Sequence, residues 1–410
     1  MNADIIFIII ILIIITSYFF DTWLEIINHN YRKNPLPENV KDVYDIEKIK
    51  TQESYHNANF KTDQISSAIS FILILGVLFA GILPKFDTFL RGYTQDSFWL
   101  AALFFGGISL VSMLISLPFS IYSTFVIEEK FGFNKTTTKT FILDIIKSTL
   151  LAIVFGGIIL YAVIWFLNQT GEWFWVWIWA IIIAFSLFMT MFYSNIIVPL
   201  FNKQTPLPDN ELRSEIEKFA IKAGFTLKNI YVIDASKRST KTNAYFTGLG
   251  KKKRIVLFDN LIEKHTTSEI VAVLAHEIGH YKHKHSLWNI IISFFQTGII
   301  LFILSLFINN PLLSKSLGAD NHSFHISIIA FGLLFEPISM VTSFFTTFLS
   351  RKFEYQADDY AASFGLADDL ALALKNLSKD NLSNINPHPF YVTIHYSHPP
   401  LHKRLENLNK

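Results

Sequence analysis

What most constrains this chain is a set of long apolar runs without charge, because a backbone placed in hydrocarbon must satisfy its own hydrogen bonds and does so as a helix or a closed barrel. Such runs occupy Ile5–Phe20, Ile65–Leu83, Phe98–Leu117, Thr149–Leu167, Trp173–Val198 and Ser286–Ile308, and a seventh, Ile326–Leu349, is interrupted only by Glu336. Each but the first is long enough to cross about 30 Å of hydrocarbon as a helix. The first is shorter, but Met1–Asp4 carries no positive charge and no small-residue cleavage pattern follows Phe20, so it reads as an anchor helix that stays rather than a signal peptide. With 51% hydrophobic and 15% aromatic residues, the chain carries more apolar surface than a soluble domain of average usage. Seven spans are expected, making this a mainly α, polytopic membrane protein.

Basic residues in the short connecting loops set the orientation. Asn168–Glu172 has neither Lys nor Arg, the loop after the second run has Lys85 and Arg91, and the loop after the sixth has only Lys315. Nearly all other basic residues fall in Asp21–Gln64, Pro118–Ser148, Pro199–His285 and the tail from Ser350, which places these four segments in the cytosol and the N-terminus outside. A net charge of +2 gives no case for a nucleic-acid partner. The absence of Cys excludes disulfides and thiolate chemistry.

The chain divides into residues 1–200, a membrane region with five spans, and 201–410, which holds the long insert, spans six and seven and the tail. In the insert, Gln204–Asp209 breaks the helix with two prolines, and Glu211–Ala223 reads as an amphipathic helix ended by Gly224. The β-branched runs Ile230–Ile233 and Arg254–Phe258 predict short strands, and Asn243–Thr247 followed by Gly248-Leu-Gly250 predicts a strand and a hairpin turn. Thr266-x-x-Glu269 is a capping-box pattern that opens a helix expected to continue to about His285.

That helix carries His276-Glu277-Ile278-Gly279-His280, an H-E-x-x-H pattern. Histidines at i and i+4 project from one helix face and can grip a single zinc ion, with the intervening Glu277 placed to take a proton from the bound water. A catalytic zinc needs three protein ligands and one open position. Glu354, just past the seventh run and on the same side of the membrane as His276, fits the third. Asp358 follows one helical turn later, where it can accept the free ring N–H of a ligating imidazole, His276. His283 and His285 read as solvated cations near a helix C-terminus.

From about Tyr31 to Glu406 the sequence resembles the type 1 CAAX prenyl proteases, the membrane zinc peptidases that process the yeast a-factor precursor and prelamin A. The likeness rests on Ile127–Asn134 (IEEKFGFN), Ser236–Ser239 with Asn243–Tyr245, His276–His280, Phe353–Asp358, and Ser397-His-Pro399 followed by Arg404. It implies seven helices enclosing a chamber and a small α/β, gluzincin-like peptidase domain holding one zinc at the cytosolic end. Asn243, Ala244 and Tyr245 would take the substrate backbone as an added strand, with Arg404 also in the substrate-binding set, His398 and Arg404 close to the metal and His398 on the substrate carbonyl. The expected reaction removes the last three residues of a C-a-a-X peptide or protein whose lipidated Cys rests in the chamber or in membrane lipid. In a eukaryote the expected site is the endoplasmic reticulum membrane; in a bacterium it is the cytoplasmic membrane. Two alternatives remain: a membrane quality-control zinc protease, and a transporter using Glu336 as a coupling site.

Overall fold

The structure, a computed structural model, describes residues 2–225, 230–247 and 254–410. In chain order the helices are α1 (Ala3–Tyr31), α2 (Ile46–Phe79), α3 (Ile82–Arg91), α4 (Ser97–Tyr122), α5 (Thr138–Thr170), α6 (Phe174–Ile196), α7 (Val198–Phe201), α8 (Glu211–Lys222), α9 (Asp259–Lys264), α10 (Thr267–Lys282), α11 (His285–Phe307), α12 (Pro311–Ser316), α13 (Phe324–Ala362), α14 (Ala367–Asp380), α15 (Pro389–His395) and α16 (Leu401–Leu408). Side-chain caps set where the long helices begin. Asn2, Asp45, Asp96 and Thr137 accept hydrogen bonds from the backbone N–H groups of Ile5, Lys48, Trp99 and Thr140, groups that a helix start leaves without an internal partner.

Among the described residues six helical segments, not the expected seven, are long and apolar enough to cross a membrane. The difference lies in Thr138–Phe201, a segment of 64 residues that contains both the fourth and the fifth apolar runs. Its two long helices, α5 and α6, are separated only by a 3-10 turn at Gly171–Trp173, which Gly171 enters at φ 55°. They pack on each other, Phe155 against Phe185 with ring centroids 5.4 Å apart, so the turn reverses the chain between two separate helices within that one segment. The spanning helices bury little: α2 buries only Gln52, Tyr55 and Leu78, and α5 only Ile164. Packing is instead concentrated at the two ends of the long helices. At one, Ile6, Ile10, Leu83, Leu90, Phe104, Leu313 and Ile326 form a cluster. Buried polar groups join it, with His325 Nε2 2.6 Å from Asp87 and Asp87 paired to Arg91 at 2.8 Å.

At the other end lies a four-stranded sheet of β1 (Gln204–Pro206), β2 (Ile230–Ile233), β3 (Ala244–Thr247) and β4 (Arg254–Phe258), in the order β1-β2-β4-β3. Strands β2 and β4 are parallel, and β3 runs antiparallel to β4 with Ala244 opposite Leu257 and Tyr245 opposite Val256. Strand β3 therefore forms one edge. The hairpin turn expected at Gly248–Gly250 lies outside the described residues. Two of the sequence motifs fasten this sheet to the membrane helices. Lys241, just before β3, reaches Glu128 at 3.0 Å and the Tyr55 hydroxyl at 2.9 Å, and Arg238 grips Asp144 of α5 through two hydrogen bonds of 2.8 and 2.9 Å. Backbone bonds from Lys135 to Arg238 and from Thr240 to Phe133 complete the seam.

Helix α10 opens on the expected capping box. The Thr266 hydroxyl accepts from the Glu269 N–H, and the Glu269 carboxylate accepts from the Thr266 N–H at 2.8 Å. Glu269 also takes a hydrogen bond from Asn376, which ties α10 to α14. Burial opposes the Glu269 charge, but the Thr266 and Asn376 bonds outweigh it and hold the carboxyl below the ordinary glutamate range. A carboxyl depressed in the folded state contributes stability above its unfolded pKa and loses it as the pH falls through the folded value. Glu269→Ala should therefore lower stability by about 1–3 kcal/mol at neutral pH, by leaving buried donors without an acceptor. In thermal unfolding of the purified protein, the gap to wild type should narrow as the pH drops below about 4.

Candidate metal centre

His276 and His280 lie one turn apart on α10, and α13 carries Glu354 and Asp358 one turn apart on the facing surface. The Nε2 atoms of the two histidines stand 3.1 Å apart, and Glu354 oxygens lie 3.5 Å from His276 Nε2 and 3.2 Å from His280 Nε2. Together these three residues form a group able to hold a metal ion. Ligands at about 2.0–2.1 Å around a tetrahedral ion stand about 3.3 Å apart, so the spacing fits a first-row metal. Glu354 is 3% exposed and its Oε2 lacks a well-directed hydrogen bond, although His398 Nδ1 is 2.9 Å away, so this buried acceptor faces the same point as the two imidazoles.

The helices come this close because of small residues. A Cβ built on Gly279 would lie 3.0 Å from the Ala357 Cα and 3.1 Å from its carbonyl oxygen. Ala272, Ala275, Ala357 and Ala361 continue the contact, all fully buried. Gly279 is thus the point in H-E-x-x-H where backbone meets backbone, and it sets the distance from the histidines to Glu354.

Around the three candidate ligands, Asp358 is fully buried and stands 2.8 Å from His276 Nδ1, as expected of an acceptor that orients the ring. Arg404 holds Asp358 through Nε at 2.9 Å and Nη2, and its Nη1 lies 3.6 Å from Glu354. Burial alone would lower the basicity of Arg404, but Asp358 reverses this and raises it. Arg404, expected among the substrate-binding groups, directs its guanidinium to Asp358. Glu277 is half-buried and close enough to His280 and Arg404 to favour their charge, without joining the three-residue group. His398 is 65% exposed at its side chain while its Nδ1 touches Glu354, so it borders the site from the solvent side.

Asn243–Tyr245 are present as an edge element next to α10, with Phe246 packed near Tyr281 at 5.9 Å between ring centroids. The Asn243 carbonyl accepts from the Phe258 N–H, and Tyr245 lies beside Ser194 of α6. Among the described residues none of these contacts reaches the His276–His280–Glu354 group.

One expectation is corrected. The helix from Thr266 does not run to His285: it ends at Lys282, Lys284 takes φ 58°, and α11 starts at His285. On a continuous helix His285 would point about 140° away from His280. The break turns it back, and His285, 2% exposed, places Nδ1 3.0 Å from His280 Nδ1. It is not a solvated cation. The sequence signal was slight, a second histidine shortly after H-E-x-x-H with no glycine to mark the turn.

Fold and site together define a polytopic membrane metallopeptidase. The family described as CAAX prenyl protease N-terminal, five membrane helices, matches residues 26–203, and peptidase family M48 matches residues 206–410. Among curated proteins the chain is 38% identical to CAAX prenyl protease 1 homolog of Arabidopsis thaliana, over 96% of this chain and 95% of that one. It is 36% identical to CAAX prenyl protease 1 of Saccharomyces cerevisiae, over 96% and 93%. The crystal structure of S. mikatae Ste24p matches with a TM-score of 0.93 at 34% identity, covering 99% of both chains. The chain belongs to the CAAX prenyl protease 1 proteins of peptidase family M48.

A methyl group at position 279 must push α10 and α13 apart or strain both. Gly279→Ala should cost about 1–3 kcal/mol of stability by overpacking and reduce bound metal. Thermal unfolding and elemental analysis of the purified variant read the two effects. Unchanged metal affinity would show that the helix spacing does not set the site.

Proposed function

We propose that this protein is a zinc endopeptidase that removes the C-terminal tripeptide from prenylated C-a-a-X proteins, with one zinc ion held by His276, His280 and Glu354. The observation that carries this reading is the convergence of two imidazole Nε2 atoms and a buried carboxylate at tetrahedral spacing, in a chain whose relatives are CAAX prenyl proteases. When bound, zinc supplies a water of lowered pKa and polarises the scissile carbonyl.

The chain's own residues do the rest. Glu277, beside the ligand histidines and outside the ligand set, takes a proton from the attacking water and delivers it to the nitrogen of the departing tripeptide. His398, exposed at the rim with Nδ1 against Glu354, has its other ring nitrogen free to donate to the oxyanion that develops on the carbonyl. Asp358 accepts the Nδ1–H of His276, and Arg404 fixes Asp358 in turn. Strand β3 has β4 on one side only, and the other edge, starting at Asn243 and Ala244, offers backbone groups to an extended substrate. Tyr245 sits beside Ser194 of α6. The peptidase region, residues 201–410, works at the cytosolic face in this reading, since the sheet and the site lie at the end of the bundle rich in Lys and Arg.

Glu277→Gln should retain stoichiometric zinc and the thermal stability of wild type while losing peptidase activity by several orders of magnitude, as expected when base and proton shuttle are lost together. Near wild-type turnover in the zinc-replete variant would remove Glu277 from the mechanism. Ala244→Pro, which deletes an N–H at the edge strand, should cut cleavage sharply with zinc content intact. A farnesylated C-a-a-X peptide should be cleaved faster than its unmodified twin; equal rates would separate the peptidase reading from the prenyl one.

A further inference from the structure

We propose that His285 and Gln356 are positioning residues that fix the tautomer of His280, giving the second metal-binding histidine an uncharged counterpart to the Asp358–Arg404 pair that orients the first. The proposal rests on the reading of His280 as a ligand. Three contacts seat His285. Its Nδ1 is 3.0 Å from His280 Nδ1, its Nε2 is 2.9 Å from Gln356 Oε1, and its ring stacks on Phe353 with centroids 4.1 Å apart and planes 10° from parallel.

Proton positions follow from what each atom can do. Two Nδ1 atoms facing each other need one hydrogen between them, and a neutral imidazole carries one hydrogen on one nitrogen. The Gln356 carbonyl oxygen only accepts, so the hydrogen of His285 lies on Nε2 and its Nδ1 is a bare acceptor. His280 must then donate through Nδ1–H, which leaves its Nε2 lone pair directed at Glu354 and His276. The opposite arrangement, with the Gln356 amide reversed or His285 protonated, makes His285 Nδ1 the donor and puts the hydrogen of His280 on Nε2, where it blocks a metal. Only the first arrangement serves a ligand.

The two ligand histidines are thus oriented by different chemistry. His276 meets a carboxylate, whose negative charge strengthens the ring as a donor to the metal. His280 meets a neutral ring backed by a neutral amide, which orients without adding charge. The break at Lys284, φ 58°, makes this contact geometrically accessible by starting α11 with His285 turned inward.

The test measures zinc affinity of the purified full-length protein by competition with a chromophoric chelator, with cobalt spectra as a second readout and thermal unfolding as the control for folding. His285→Phe, which keeps the stack and loses the acceptor, should weaken zinc binding about 10–100-fold. His285→Asn, whose Oδ1 replaces Nδ1 as acceptor, should recover most of that loss, a rescue that packing alone does not produce. Gln356→Glu should bind zinc at least as tightly as wild type, because a carboxylate accepts from His285 Nε2–H, whereas Gln356→Met should bind more weakly. Zinc affinity of His285→Phe within twofold of wild type would overturn the proposal, as would equal affinities for Gln356→Glu and Gln356→Met, variants that alter no stacked ring. His280→Ala separates the two levels: if it binds zinc like wild type, the ligand assignment falls; if it loses zinc while His285→Phe does not, only the relay falls.

Discussion

The backbone contact between α10 and α13 at Gly279 and Ala357 is the constraint on which the metal centre depends. One helix supplies two imidazoles and the other a carboxylate, and the ligand edges of 3.1–3.5 Å exist only while the helix axes stay close. Gly279 has no Cβ, and it faces the backbone of Ala357 and the Cβ of Tyr360, so the contact at this point has little side chain to compress or repack. Stiffness in that contact holds the three candidate ligands at a spacing that fits a metal ion, which limits the reorganisation that binding would require.

Around that contact the charges are arranged in series. Glu354 and Asp358 are buried carboxylates one turn apart, and leaving two negative charges there without compensation would be costly. Arg404, from α16, closes the balance by pairing with Asp358 and approaching Glu354. The C-terminal helix is therefore part of the electrostatics of the centre. Its apolar side, Leu401, Leu405 and Leu408, joins the cluster that includes Ala275, Ile278 and Ala361, so packing and charge hold the same helix in place. The motif IEEKFGFN has a different job. It meets the segment before β3 through Lys241, Glu128 and Tyr55 and so fixes the sheet edge relative to the membrane helices.

Sequence alone determined whatever is encoded in local pattern. Apolar runs marked the spanning helices, Thr266 and Glu269 marked the start of α10, and the i, i+4 histidines with the Glu354–Asp358 turn marked the candidate ligand set, because each is a short-range signal set by helix periodicity or capping. Tertiary structure decided what depends on how the chain turns between such elements. The turn at Gly171 folds the fifth expected span back on the fourth, a pairing that apolarity cannot register. The αL residue Lys284 brings His285 onto His280, although a position five residues on along a regular helix faces elsewhere, and nothing in a lysine announces a positive φ. Arg404 finds Asp358 across dozens of residues of chain, a pairing governed by the docking of α16 rather than by spacing. Local rules fix which groups a helix face presents; only packing fixes which faces meet, because the partner of a buried charge or ring is chosen by where the backbone is brought in three dimensions.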